Sequence, residues 1–257
     1  MSPPDGSPPK NERRPLDQYF TPDDLAEALV SRLASDGWWR GGRVLEPSAG
    51  KGAFVRAAIG LSPTPRQVLA VDLDRDRAQE LGYIRFGPGT VDVTGSDFLA
   101  LNGPAQWALV IGNPPYSEAE AHTRKALSLR SRFGVVAFLL RMGFLESEER
   151  AAFWREHPAS KVYVLSQRPS FTGEGKTDRG QSYGLFVWAT WHRGPTELEV
   201  LSWRQPKKRN GSQDRAATPE DPPMTGMIEV PEGADLKEEL LKRGLVKPDA
   251  WEGQGEG

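Results

Sequence analysis

The sequence contains no cysteine and only three histidines among 257 residues. Without cysteine, the chain cannot form a disulfide, a thiolate metal site or a cysteine nucleophile. His122, His157 and His192 stand far apart and lack the short spacing typical of metal ligands. We therefore expect neither a metal site nor cysteine chemistry.

Long apolar runs and an excess of basic charge are also missing. No window reaches the roughly 18 apolar residues that a membrane-spanning helix requires, and the N-terminal stretch MSPPDGSPPKNERRPL lacks the apolar core of a secretory signal. We expect a cytoplasmic protein without a membrane partner. Because 33 basic side chains stand against 35 acidic ones, any attraction to nucleic-acid phosphates has to come from local patches.

Composition divides the chain into a central domain and polar ends. Residues 1–15 are rich in proline and charge, which predicts disorder. Residues 205–233 combine prolines with the basic cluster 207–209 and are typical of a linker, while residues 234–257 offer one short helix before a Gly/Glu tail. The remaining stretch, 16–204, is predicted to form one domain.

Apolar runs alternate with helical stretches along this domain. The runs predict buried strands at 43–46, 68–72, 107–112, 133–140, 161–165 and 184–191, with 196–204 offering one more. Helices are predicted at 23–34, 54–60, 75–81, 118–129 and 144–156, the first with Thr21 as its N-cap and Pro22 as its first residue. This alternation predicts an α/β, Rossmann-like fold: a mostly parallel open sheet with helices on both faces.

A glycine-containing turn follows the first predicted strand, in Val-Leu-Glu-Pro-Ser-Ala-Gly-Lys-Gly-Ala-Phe, residues 44–54. Small residues let a ligand approach the backbone, and the N-terminus of the next helix offers free N–H groups. In an open α/β sheet, ligands bind at the carboxyl ends of the strands, where this turn lies. Its glycine spacing matches neither a P-loop nor a complete G-x-G-x-x-G motif, so an ordinary tight turn is the alternative.

Acidic residues follow at two later points. Asp72 ends the next strand, 22 residues after Gly50, where a carboxylate can accept both ribose hydroxyls of a nucleoside cofactor. Asp74 competes for this role, although it is also placed to cap the following helix. Further on, the Asp97 carboxylate can accept from an adenine amino group while the Phe98 ring packs on the base, although such a phenylalanine is also typical of a core.

Asn113-Pro114-Pro115-Tyr116 directly follows the predicted strand 107–112. Its prolines stiffen the loop and remove donors, which leaves the Pro114 carbonyl as an acceptor. Together with the Asn113 amide oxygen, that carbonyl can hold an exocyclic amine by two hydrogen bonds and make the nitrogen lone pair available. Tyr116 can stack on a planar substrate.

These motifs together resemble the amino-group methyltransferases of DNA in which the cofactor motif precedes Asn-Pro-Pro-Tyr. Residues 45–52 resemble their Glu-Pro-Ser-Ala-Gly loop, and residues 18–22 resemble the Phe-Thr-Pro segment that closes over the methionine end of the cofactor. The resemblance implies methylation of the N6 amine of a flipped adenine. It implies that S-adenosylmethionine is held by Phe20, Thr21, Glu46, Ser48, Ala49, Gly50, Asp72, Asp97 and Phe98, with catalytic roles for Asn113, Pro114, Pro115 and Tyr116.

Two further features are expected to contact DNA. Phe171 stands where the family places an aromatic that sandwiches the flipped base, and its polar, Gly-rich surroundings favour an exposed loop ring over a plug at the end of the sheet. A stretch without acidic residues, 121–133, follows the catalytic loop. Its candidate DNA surface, with a solvated helix face as the alternative, comprises Arg124, Lys125, Arg130 and Arg132.

One departure from the family concerns target recognition. Restriction-type relatives carry a sizeable recognition domain after the catalytic domain, whereas about fifty low-complexity residues follow here. Specificity would then rest on short loops or on a partner subunit, or be loose, in a bacterial or phage context. Three alternatives stay open: methylation of a protein glutamine amide, methylation of an RNA base amine, and a non-enzymatic subunit with a degenerate methyltransferase fold.

Overall fold

A computed structural model describes residues 19–82, 84, 89–146, 148–171, 180–204 and 228–229. The segment predicted to be disordered, 1–15, lies outside these residues, as do the predicted C-terminal helix and tail. Of the predicted linker, only residues 228–229 are described.

The described chain forms helices on both faces of one nine-stranded sheet, in the order β3-β2-β1-β4-β5-β7-β6-β8-β9. The helices are α1 Asp23–Ser35, α2 Ala53–Ile59, α3 Arg75–Leu81, α4 Ala119–Leu129 and α5 Ala151–Glu156. The strands are β1 Arg43–Glu46, β2 Gln67–Asp72, β3 Thr90–Gly95, β4 Trp107–Gly112, β5 Arg130–Arg141, β6 Lys161–Leu165, β7 Tyr183–Ala189, β8 Glu197–Leu201 and β9 Ile228–Glu229. The first five strands pair in parallel, and β7 runs antiparallel to β5 and β6. The predicted α/β fold with a mostly parallel sheet is confirmed.

The central strand β5 shows why its sequence is apolar throughout. Val135, Ala137 and Leu139 belong to the core cluster shared with α1 and α2. Val136 and Phe138, which alternate with them, belong to the cluster shared with α4 and α5. Successive side chains of a strand point to opposite faces, so a strand covered on both sides needs a continuous apolar run.

The order of the strands indicates where along the sheet a ligand can bind. From β1 the chain continues outward through β2 and β3, and it then returns to add β4 on the other side of β1. The neighbours β1 and β4 therefore form a topological switch point, where open α/β sheets bind ligands beyond the carboxyl ends of their strands. Glu46 ends β1 and Asn113 follows β4 at this point.

Some elements differ from their predictions. Strand β3 was not predicted, because it alternates exposed and half-buried positions at the sheet edge instead of forming an apolar run. Helix α5 starts only at Ala151, since 3₁₀ turns occupy much of the stretch before it. Pro22 takes the N-cap position of α1, so the prediction of Thr21 as the cap is wrong. Strand β9, which lies inside the predicted linker, pairs with β8.

Two kinds of feature are absent from the described residues. None of their helices combines the length and apolar character needed to cross a membrane. Nor do they contain a group of three or more His, Cys, Asp or Glu side chains placed to hold a metal ion.

Candidate active site

A cavity of about 310 Å³ opens at the carboxyl edge of the strands, next to the switch point. Its lining includes Phe20, Ser48, Gly50, Asp72, Asp97, Phe98, Asn113, Pro114, Pro115 and Tyr116. A smaller cavity shares part of this lining and adds Thr21, Glu46 and Ala49. The structure thus brings together all thirteen residues predicted for the cofactor and for catalysis.

The turn after β1 is fastened to the end of β2. The Ala49 amide donates to the Val71 carbonyl at 2.9 Å, and the Gly50 amide donates to Asp72 Oδ2 at 2.7 Å. Gly50 has a φ of 52°, in the left-handed region that favours glycine. A Cβ there would lie 3.1 Å from a ring carbon of Phe20, so glycine also permits this close packing.

Asp72 and Asp74 have different surroundings. Asp72 is buried and lines the cavity, and its Oδ1 accepts from the Asp74 amide at 2.9 Å and from Arg77 Nη2 at 3.2 Å. The Asp74 carboxylate caps α3 by accepting from the amides of Asp76 and Arg77. Asp74 is absent from the described lining of the cavity. The geometry therefore favours Asp72 as the carboxylate that faces a ligand.

The Asp97–Phe98 pair lies beside a histidine that sequence reasoning had set aside. Asp97 is exposed and accepts from the Leu99 amide at 2.8 Å. The buried Phe98 ring lies 5.3 Å from the ring of His122, which comes from the buried face of α4. His122 Nδ1 lies 3.1 Å from the Glu118 carbonyl, which can only accept, so this nitrogen carries the proton. Burial lowers the pKa of His122, which leaves a neutral ring at the cavity wall.

The Asn113 side chain is oriented by the segment before α1. Its Nδ2 donates to the Tyr19 carbonyl at 3.1 Å and to Thr21 Oγ1 at 3.2 Å. Because a backbone carbonyl cannot donate, the amide nitrogen must face Tyr19 and the amide oxygen must point away. This oxygen is buried and has no hydrogen-bond partner among the described residues. It is placed to accept from an amine.

Aromatic rings surround Tyr116. Its ring centroid lies 5.6 Å from that of Tyr19 and 5.9 Å from that of Tyr183. Phe171 packs against the same two rings, at 5.8 Å and 5.1 Å, and is 5% exposed. The expectation of an exposed Phe171 ring is therefore wrong, because two tyrosines distant in sequence cover it at the end of the sheet. The site also includes Arg141, whose guanidinium faces the Tyr116 ring and which the sequence did not identify.

The predicted basic surface does not form beside the cavity. Arg124 is paired with Glu120 at 2.9 Å and with Glu156 at 2.7 Å. Arg130 and Arg132 stand at the amino end of β5, because the 11 residues of α4 lead the chain back by about 16 Å to the far edge of the sheet. Arg130 and Arg132 therefore lie away from the Asn113 loop, so the prediction that they form one surface beside it with Arg124 and Lys125 is wrong.

Glu46 is the most unusual group in the site. Its side chain is 1% exposed, and neither carboxylate oxygen makes a well-formed hydrogen bond among the described residues. Burial raises its pKa well above the ordinary value of 4.5; the nearby Ser48 amide offsets this only in part, and the Asp72 charge adds to it. A buried carboxylate without a partner is unfavourable, and a bound cation would relieve it.

The comparisons with known proteins identify the fold. No family model matches the chain. It is 31% identical over 113 residues to the type II methyltransferase M.TthHB8I of Thermus thermophilus, a match that covers 44% of this chain but only 24% of that protein. The chain therefore spans about a quarter of the length of this curated relative.

Solved structures resemble a larger part of the chain. A type I restriction-modification methyltransferase subunit from Streptococcus thermophilus aligns with a TM-score of 0.56 at 14% identity, over 71% of this chain and 47% of that one. A Listeria monocytogenes protein described as a candidate class I S-adenosylmethionine-dependent methyltransferase aligns with a TM-score of 0.53 at 13% identity, over 73% and 67%. The chain has the class I S-adenosylmethionine-dependent methyltransferase fold.

Proposed function

We propose that this chain is an S-adenosylmethionine-dependent methyltransferase that acts on the N6 amino group of adenine in DNA. The observation that carries the proposal is the Asn113 amide oxygen. It is buried and has no hydrogen-bond partner among the described residues, and it lies at the switch point of the sheet beside a cavity with a glycine turn and a buried acid. A site for an amine thus adjoins a site for a nucleoside cofactor.

The residues of the cavity fit the chemical groups of S-adenosylmethionine. The Glu46 carboxylate would hold the ammonium of its methionine part, a cation that none of the described residues supplies to this buried acid. Asp72 would accept from the ribose hydroxyls, and Asp97, Phe98 and His122 would surround the adenine. When bound, the cofactor supplies an electrophilic methyl group on a sulfonium sulfur.

Catalysis in this proposal is mainly positioning. Asn113 Oδ1 and the Pro114 carbonyl accept hydrogen bonds from the two N–H groups of the target amine. These hydrogen bonds withdraw the nitrogen lone pair from the ring and direct it toward the cofactor side of the site. Tyr116 supports the base by stacking. Tyr19 and Thr21 act on the reaction through Asn113, because their hydrogen bonds fix which end of the amide faces the substrate.

The choice of DNA as the substrate is supported by two proteins named above, a type II methyltransferase and a type I restriction-modification methyltransferase subunit. In this proposal the partner is DNA, and the target base is flipped into the site. An RNA base amine and a protein glutamine amide offer the same kind of N–H donor, so both belong in the test.

The test uses isotopically labelled S-adenosylmethionine with duplex DNA, RNA and a glutamine-bearing protein as separate substrates. We expect label in DNA, recovered as N6-methyladenine after digestion to nucleosides. Asn113→Ala should abolish transfer while cofactor binding persists, whereas Asn102→Ala, at an exposed site outside the cavity, should retain activity. Label in RNA or in the glutamine protein, with none in DNA, would replace the proposal with the corresponding alternative.

A further inference from the structure

Arg141 lies at the substrate side of the catalytic loop. It is the last residue of β5, which extends three residues beyond the pairing of Phe138 with Gly112, the end of β4. Its guanidinium carbon lies 4.4 Å from the centre of the Tyr116 ring and 5.4 Å from that of Tyr19. The side chain is therefore held against the residue on which the target base is proposed to stack.

The part of the chain that the structure describes provides no counter-ion for Arg141. Among the described residues, no carboxylate lies within ion-pair distance of it, and its buried Nε has no hydrogen-bond partner. The half-buried Arg32 and Arg77, by contrast, each pair with two carboxylates. Burial by itself would lower the pKa of Arg141, but the phenol oxygen of Tyr183, to which the guanidinium donates a hydrogen bond, and those of Tyr116 and Tyr19 raise it, so the guanidinium stays charged.

A partly buried cation of this kind points to an anionic ligand. Removing charge from water is unfavourable unless an opposite charge or hydrogen bonds replace the solvent. The flat guanidinium presents parallel N–H donors that match the oxygens of a phosphate or a carboxylate. Stacking on aromatic rings holds the group in place while its edge stays available for hydrogen bonds.

The position of Arg141 separates the two anions that could reach it. Tyr116 and Tyr19 line the cofactor cavity, whereas Arg141 is not part of the described lining of that cavity or of its smaller neighbour. This argues against the carboxylate of the cofactor. A base stacked on Tyr116, however, would bring its own sugar-phosphate within reach of a guanidinium only 4.4 Å from that ring.

We propose that Arg141 binds a phosphodiester of the nucleic-acid substrate beside the nucleotide whose base stacks on Tyr116. This inference rests on the proposed function and adds a reason for the substrate class. A protein glutamine amide is neutral and brings no such anion, so Arg141 would favour a polynucleotide over a protein. Arg141 is thus a specificity-determining residue outside the motifs of the family.

The experiment measures the affinity of the full chain for a duplex with one adenine target, with single neutral methylphosphonates placed in turn around that adenine. In the wild type, a methylphosphonate at one of these positions should weaken DNA binding about tenfold or more, as expected for the loss of a charged hydrogen bond. In Arg141→Gln, binding to the unmodified duplex should be weaker by a similar factor, and the methylphosphonate at that position should have little further effect. The slope of log affinity against log salt should fall by about one.

Matched variants make the result specific. Arg132→Gln removes an arginine that also faces an aromatic ring, but at the other end of β5, and should leave the methylphosphonate pattern unchanged. Arg141→Lys keeps the charge without the planar donor pair and should restore part of the affinity. Melting temperatures identify a variant that fails to fold, in which case Arg141→Lys carries the comparison.

Each outcome decides a different question. If the wild type binds and methylates the duplex but Arg141→Gln shows the same methylphosphonate pattern, the role of Arg141 is refuted while the proposed function stands. If Arg141→Gln instead loses affinity for S-adenosylhomocysteine and keeps its affinity for DNA, the anion is the carboxylate of the cofactor. If the wild type neither binds nor methylates DNA, both proposals fall.

Discussion

At the residue scale, the Glu46 carboxylate shows a conflict between stability and binding. It is buried against Gly112 and has no good hydrogen bond among the described residues. A buried carboxylate of this kind lowers the free energy of unfolding, and a bound cation would offset that cost. Replacing it should therefore affect stability and cofactor binding in opposite directions.

Glu46→Gln tests this conflict because glutamine has the same shape without the charge. The pKa of Glu46 is raised in the folded state, so its favourable contribution is complete below the unfolded value of about 4.5 and is lost as pH rises through the folded value. At neutral pH, Glu46→Gln should thus melt at a higher temperature than the wild type, and its melting temperature should fall less between acid and neutral pH. Its affinity for S-adenosylmethionine should fall about tenfold or more.

Thermal denaturation from acid to neutral pH and calorimetric titration with the cofactor check both halves of this prediction. Glu80→Gln, which removes an exposed glutamate on α3, serves as the control and should change neither quantity. A Glu46→Gln protein that is less stable than the wild type at neutral pH would contradict the predicted opposition between stability and cofactor binding. Unchanged cofactor affinity would remove Glu46 from the cofactor site.

The two aspartates after β2 provide a second residue-scale prediction. Asp72→Asn should weaken cofactor binding by roughly 1–3 kcal/mol, the range for a lost hydrogen bond to a charged group. Asp74→Ala should instead lower the free energy of unfolding by about 1 kcal/mol, the effect of a lost helix cap, with the cofactor affinity unchanged. Titration calorimetry and denaturant unfolding of both variants distinguish these effects. The reverse pattern would transfer the ribose role to Asp74.

At the scale of elements, a polar cluster anchors the C-terminal end of α1 to the sheet. Asp36, the C-cap of α1, accepts from the Tyr163 hydroxyl of β6, and Trp38 Nε1 donates to that hydroxyl at 2.8 Å. The buried Lys161 lies 2.9 Å from Glu199 of β8. Since the segment before α1 orients Asn113, this anchor and the Asn113 loop depend on the same helix.

Tyr163→Phe should weaken the anchor without creating a cavity. It leaves the buried donor of Trp38 and the carboxylate of Asp36 without this partner, so the free energy of unfolding should fall by roughly 1–3 kcal/mol. Burial by itself would raise the pKa of Asp36, but the hydrogen bonds from Tyr163 and Arg32 outweigh this effect. The pKa of Asp36 is therefore lower than its ordinary value. Its contribution is present above the unfolded value and is lost as pH falls through the folded value.

Denaturant unfolding across the acid range measures this prediction. The difference in stability between the wild type and Tyr163→Phe should narrow as the pH falls below about 4. A difference that stays constant down to the acid end would show that the hydrogen bond to Asp36 contributes nothing to stability.

At the scale of the whole molecule, the site lies several strands away from β8 and β9, the last two strands of the sheet. Strands β8 and β9 lie at the end of the sheet, with β5, β7 and β6 between them and β4. Deleting residues 206–257 removes β9, whose two residues both pair with β8. We expect the shortened chain to stay folded, with a slightly lower melting temperature and unchanged cofactor affinity. Circular dichroism and calorimetry provide the check, and an insoluble product would show that the removed residues are needed to protect the β8 edge.

The sequence by itself determined the fold class and thirteen of the residues that line the candidate site. Continuous apolar runs indicate strands covered on both faces, and parallel strands bring their carboxyl ends to one edge. Glu46, Asp72 and Asn113 each end or follow such a strand, so their gathering follows from topology without knowledge of any side-chain contact. This is why motifs spread along the chain could be assigned to one cavity.

Tertiary structure alone decided the positions of residues that are set by contacts between distant parts of the chain. Phe171 is buried because Tyr19 and Tyr183 pack on it, although its neighbours in sequence are polar. Arg132 follows the catalytic loop in sequence but lies at the opposite edge, because α4 reverses the direction of the chain. Arg141 joins the site because β5 extends past β4. Local patterns record the periodicity of an element, whereas the partner of an individual side chain depends on how the elements pack.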